Sequence, residues 1–191
     1  MRTPSDRLLE TVVDILATQG YEGVSVRRVA TQAGVSIGAV QHHFPTKDAM
    51  LDAAMAWAAD SFRQRLEERV PADAGAEVAL RGLCEELLGL GDERREVSVL
   101  WIVRLARAVV DPGTAEVHAR EWQEIENLLA RLLGVARPDQ DDGWARDQAG
   151  FLLAVLDGLA TAGTAEPARM PRARAELMLS QVLDQLLTSA S

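Results

Sequence analysis

A chain of 191 residues that is 48% hydrophobic and 26% charged is long enough to bury a core and too apolar to stay unfolded. Its one cysteine, Cys84, excludes an internal disulfide and a cysteine-based zinc site, and is expected as a small core residue. No basic, apolar leader and no apolar run of about 18 residues points to export or a membrane span, so a cytoplasmic protein is expected.

Aromatic residues are scarce at 4%, alanine and leucine dominate, and no alternating β-branched runs occur, which predicts an all-α protein. The first helix is predicted over residues 5–19, with Leu8, Leu9, Val12, Val13, Ile15 and Leu16 inward and Gly20 ending it. The next stretch, SVRRVATQAGVSIGAVQHHFPTK over residues 25–47, reads as two short helices around a glycine corner. Ser25 is placed to N-cap the first, and Val26, Val29 and Ala30 form its apolar face, leaving Arg27 and Arg28 outside. Gly34 supplies the positive φ that ends it, Val35 is expected to plug the corner, and Ser36 caps the second helix. This is the helix-turn-helix layout, whose second helix enters the major groove of DNA.

The run from Arg7 to Leu51, centred on VRRVATQAGVSIGAVQHHFPTKDAML, resembles the DNA-binding domain of the TetR family of bacterial repressors. Within it, VQHHFPTKDAML is most similar to the choline-sensing regulators, a likeness that leaves the ligand open. The family usually carries tyrosine, on a phosphate, where this chain has Gln41, so Gln41 is left either to a phosphate or to a base edge.

On the second short helix Val40 and Phe44 fall four apart and face inward, which turns Ile37, Gly38, Ala39, Gln41, His42 and His43 toward the groove. Gln41 suits an adenine edge, Ile37 and Ala39 a thymine methyl, and Gly38 a close backbone approach. Ser25, Arg28, His43 and Lys47 suit phosphates, and Ser36 completes the candidate DNA-binding set. Adjacent helical side chains point about 100° apart, so His42 and His43 are not read as a metal pair. No metal site and no cofactor is expected.

Pro45 breaks this helix and Thr46 caps a long fourth one, reaching about residue 70, with Ala49, Met50, Ala53, Ala56, Trp57 and Phe62 on its apolar side. The expected division is a headpiece of residues 1–46 and a ligand-binding and dimerisation body of residues 47–191. Further helices are predicted over 76–90, 93–110, 114–133, 142–162 and 171–188, about nine in all. Turn chemistry separates them at Gly91 with Asp92, at 111–113, at Gly134 with Pro138, and at 163–171. The acidic stretch 138–143 is expected to be merely solvated.

In the last two helices Phe151, Leu152, Val155, Leu156 and Leu159 form one broad apolar face, and Leu177, Met178, Val182, Leu183, Leu186 and Leu187 another. With small residues Ala154, Gly158 and Ala162 allowing close approach, these helices are expected to pair with their twins in a four-helix bundle. Charge supports two copies. The net charge is -9, yet residues 1–50 hold five basic against five acidic residues, so a single neutral head should hold DNA poorly.

The resemblance implies that a small molecule enters the body and releases the DNA. Trp57, Phe62, Leu88, Trp101, Arg104, Leu105, Trp122 and Phe151 are the candidate ligand-binding residues, the two tryptophans of the middle helices foremost in so aromatic-poor a chain. A tryptophan cluster with Glu121 or Asp157 suits a lipophilic cation, whereas Arg104 suits a carboxylate, and the sequence leaves both open. His118 and Glu121, a turn apart, lack a third metal ligand and are read as surface. No phosphate loop, nucleophile elbow or zinc-protease motif occurs, so no enzyme is expected. A DNA-binding dimer without a small-molecule ligand is the alternative.

Overall fold

The computed structural model describes residues 4–89 and 95–188, and among these it contains nine α-helices and no strand. The turn expected at Gly91 and Asp92 lies outside the described residues. Helix α1 spans Pro4–Gly23 with a break at Gly20, whose φ of 69° and ψ of -177° end the regular part. It is followed by α2 (Val26–Ala33), α3 (Ile37–His43) and α4 (Lys47–Arg69). The body adds α5 (Ala76–Leu88), α6 (Arg95–Ala108), α7 (Pro112–Ala136), α8 (Asp142–Ala165) and α9 (Arg172–Leu187).

Local side-chain caps start most of these helices. Ser25, Ser36, Thr46, Asp111 and Asp141 each accept a hydrogen bond from the backbone N–H three residues on. Asp111 caps α7 so early that Pro112 and Gly113, expected in a turn, form its first turn instead. The other end of α7 also overruns, because Arg137 anchors it: its guanidinium donates to the carbonyls of Leu186 (2.7 Å) and Thr188 (2.9 Å) and grips Asp139 at 2.8 Å. Those tertiary bonds outweigh the stop signal of Gly134. Helix α8 likewise runs through Gly163, with Thr164 buried behind it. The acidic stretch 138–143 is therefore structural, since Asp139 holds Arg137 and Asp141 caps α8. The Arg137 guanidinium keeps the Asp139 carboxyl well below the usual carboxylate range.

Two apolar cores result. The head core joins Leu8, Val12, Ile15, Leu16, Val29 and Val40 to Met50, Leu51, Ala54 and Ala58 of α4, and Leu100 of α6 closes it. The buried side of α4 is therefore turned away from Ala56, which is exposed, because the head claims Leu51 and Ala54. The body core joins Leu80, Leu83, Cys84 and Leu88 of α5 to Leu129 and Leu133 of α7, Leu152 and Leu156 of α8, and Leu179 and Leu183 of α9. Burial pushes the Cys84 thiol up to about 12, which keeps it protonated and inert. Helix α8 is long and apolar enough by length and composition to cross a membrane, but Leu152, Leu153, Leu156 and Leu159 pack into this core.

Candidate functional site

Helix α3 is short, and its pose depends on what flanks it. Gly34 adopts φ 69°, and its N–H and that of Val35 donate to the carbonyls of Thr31 and Ala30, at 3.3 and 3.0 Å, closing α2 with two hydrogen bonds that turn the chain. Val35 itself does not plug the corner. It is 42% exposed, because the backbone bonds and the glycine make the turn without it. Val40 and Phe44 are buried and pin α3 to the head core. The rest of α3 is left to solvent: Ser36, Ile37 (48% exposed), Gly38, Ala39, Gln41, His42 and His43 all lie on the outside.

Around this helix stand the groups read as phosphate ligands. Ser25 and Arg28 are exposed at the start of α2, with the Arg28 guanidinium donating to Gln19. Lys47, at the first residue of α4, places its Nζ 3.6 Å over the ring of Tyr21. Its neighbour Asp48 is paired with Arg107 of α6 at 3.1 Å, so the carboxylate next to this lysine is answered from the body.

Behind the head, a cavity of about 530 Å³ opens at the seam between the two cores, bounded by α4, α5, α6, α7 and α8. Met55, Ala58 and Val97 from the head side meet Phe62, Leu66, Ile125, Leu128 and Leu156 from the body side. Trp101 and Trp122 stack at its wall with centroids 5.5 Å apart and planes 19° apart. The His118 ring packs on Trp122 at 4.4 Å, so His118 is part of this stack and not a surface residue. Burial, with the Arg104 charge nearby, lowers the His118 pKa. The Trp101 indole N–H is buried without an acceptor among the described residues.

Of the eight residues read as ligand-binding, Phe62, Trp101 and Trp122 line this cavity and the others do not. Leu88 is closed off in the body core, Trp57 packs against the head core, and Leu105 is half-buried outside the lining. Phe151 points the other way and is 52% exposed, because α8 buries the adjacent Leu152 and Leu153. Arg104 lies in a second cleft between α4, α6 and α7 and donates to Glu121 at 2.6 Å, so it is not part of this cavity, whose own arginines, Arg63 and Arg65, are paired with Asp60 and Glu86. Residue size alone could not find Met55, Leu66 or Leu128, since nothing in the sequence distinguishes their helix faces from neighbouring core faces.

Asp157 is the polar group of the lining that stands out. It accepts from the Trp122 indole at 3.1 and 3.2 Å, and burial nevertheless pushes its pKa up.

Residues 8–54 match the family model for bacterial regulatory proteins of the tetR family, and residues 76–188 match that for the C-terminal region of BetI-type transcriptional repressors. The chain belongs to the TetR family of transcriptional regulators. The HTH-type transcriptional regulator of the dhlA 5′ region of Xanthobacter autotrophicus is 28% identical, over 98% of this chain and 92% of its own. Among solved structures, a transcriptional regulator from Rhodococcus sp. Rha1 is 35% identical with a TM-score of 0.82, covering 97% of this chain and 96% of its own. A transcriptional regulator from Saccharomonospora viridis, solved in complex with choline, shares the fold at a TM-score of 0.84 and 20% identity, covering 94% of this chain and 95% of its own.

Proposed function

We propose that this TetR-family regulator is a cytoplasmic repressor that binds a palindromic operator as a homodimer and is released by a small molecule held in the seam cavity. The head of residues 1–46 reads DNA through α3, and the body of residues 47–191 pairs and senses, with α4 serving both cores. In this reading Gln41, Ile37, Gly38, Ala39 and His42 address base edges, while Ser25, Arg28, Ser36, His43 and Lys47 hold phosphates. The exposed apolar row of Phe151 with Ala154 and Gly158 on α8, beside Leu177 and Met178 on α9, supports pairing through the last two helices. Two heads would then meet successive major grooves roughly 34–36 Å apart.

The course of α6 supports the coupling. Helix α6 places Trp101 against the cavity and, two turns on, Arg107 against Asp48 at the start of α4. A ligand that moves α6 therefore moves the reading head. The choline seen in the Saccharomonospora protein supports a small-molecule effector in this fold without naming this one.

The test has two parts. Duplexes selected from a random pool by the full-length protein should share a palindrome, and sedimentation should give a dimer. Compounds that raise its melting temperature should then weaken operator binding by the same factor with which operator weakens theirs. Stabilising compounds that leave operator affinity unchanged would favour a DNA-binding dimer that senses nothing.

A further inference from the structure

The carboxylates around the seam cavity differ in what answers them. Glu86 is fully buried and pairs with Arg65 at 2.7 Å and Arg69 at 3.7 Å. Glu121 is held by Arg104, and Glu124 is exposed to solvent, which screens its charge. Asp157 faces the cavity with one polar partner among the described residues, the neutral Trp122 indole, which donates a single hydrogen to both oxygens. An ionised carboxylate has about four lone-pair sites, so most of its acceptor capacity is unused and its charge is uncompensated.

We propose, on the reading of this cavity as the effector site, that it takes an amphiphilic organic amine: an ammonium N–H donates to Asp157 while an aliphatic tail lies along Phe62, Leu66, Ile125 and Leu128. Three observations support this choice. The open carboxylate lacks both a cation and hydrogen-bond donors, and a protonated amine supplies both in one group. A quaternary ammonium has no N–H to give Asp157, and the Trp122 ring beside that carboxylate already packs against Trp101 and His118. The space of about 530 Å³ and its aliphatic walls fit a drug-sized molecule with a long apolar part, far more than a small headgroup alone fills.

The proposal is tested on the full-length protein with four probes of equal chain length: octylamine, octyltrimethylammonium, octanoate and octan-1-ol. Binding is read from tryptophan fluorescence, since Trp101 and Trp122 form the wall, and from melting temperature. Octylamine should bind at least tenfold more tightly than octan-1-ol and octyltrimethylammonium, with octanoate weakest. Asp157→Asn should remove the amine's advantage while octan-1-ol stays within twofold, and Asp157→Glu, which keeps the charge, should retain a preference for the amine. Octanoate equal to octylamine, or an amine affinity unchanged in Asp157→Asn, overturns the proposal while leaving the cavity as an effector site. Failure of all four probes to bind overturns both.

Discussion

Two neighbouring residues of α3 give opposite expectations, and the contrast tests how that helix is used. Val40 is fully buried, so Val40→Ala removes two methyl groups at about 0.8 kcal/mol each, and an uncollapsed cavity raises the total from about 1.6 toward about 3 kcal/mol. In a chain of this size that lowers the melting temperature by roughly 3–12 °C. Gln41 is exposed and makes no hydrogen bond within the chain among the described residues, so Gln41→Ala should leave stability within about 0.5 kcal/mol. In the proposed pose its effect belongs to DNA, where losing a bidentate base contact costs about 1–3 kcal/mol at one position, roughly 5- to 150-fold in discrimination. Thermal denaturation measures the first, and duplex selection followed by fluorescence anisotropy the second. An unchanged selected motif with Gln41→Ala would refute base reading by this side chain and return it to a phosphate contact. A large loss of stability would refute the outward pose of α3 itself.

With Lys47 on a phosphate, as proposed, Lys47→Ala should weaken all duplexes alike and reduce the slope of log K against log salt by about 0.9; titrations at several salt concentrations check it. Phe151→Glu combined with Leu177→Glu should raise the dimer dissociation constant at least tenfold in sedimentation while leaving the protomer folded, since both side chains lie outside its core. Asp157→Asn should stabilise the free protein at neutral pH. Burial holds the Asp157 carboxyl above the ordinary aspartate value of 3.8, so it binds its proton more tightly folded than unfolded and costs stability as pH rises through that range. The gain should therefore shrink on acidification and vanish below about 3.8, and melting curves across pH would expose a wrong sign.

The head was legible in the sequence because its signals are local. Ser25, Gly34, Ser36 and Thr46 act on backbone within three residues of themselves, and each makes the bond its position predicts. The body was legible only in part. Where Gly134 and Gly163 marked ends, α7 and α8 continue, because the Arg137 bonds to Leu186 and Thr188 and the burial of Thr164 are long-range facts with no local sign. Phe151 shows the same limit in the candidate site. Helix α8 has apolar residues on two sides, and periodicity does not say which side meets the core, which the cavity and which the outside. Rarity marks Trp101 and Trp122 in the sequence, where Glu121 and Asp157 stand as equal candidates for the charge beside them; only the long-range Arg104 pair on Glu121 separates the two.

In the proposed mechanism, magnitudes decide how the cavity would act on the DNA-reading head. Allosteric coupling typically amounts to about 1–3 kcal/mol, but a surface ion pair such as Arg107 with Asp48, whose carboxylate is 61% exposed, is worth about 0.2–1 kcal/mol. That pair alone falls short. The remainder has a candidate in the residue next to Trp101: Leu100 is buried in the head core, while Trp101 faces the cavity. Consecutive residues on a helix point about 100° apart, so α6 is a lever with one side chain in each compartment. A ligand that displaces Trp101 by a fraction of an ångström must also shift Leu100 within a close-packed core, where lost contacts cost more than a screened charge pair. Leu100→Ala should thus reduce effector-driven release more than Arg107→Gln does, and the reverse order in operator titrations would place the coupling in the charges instead.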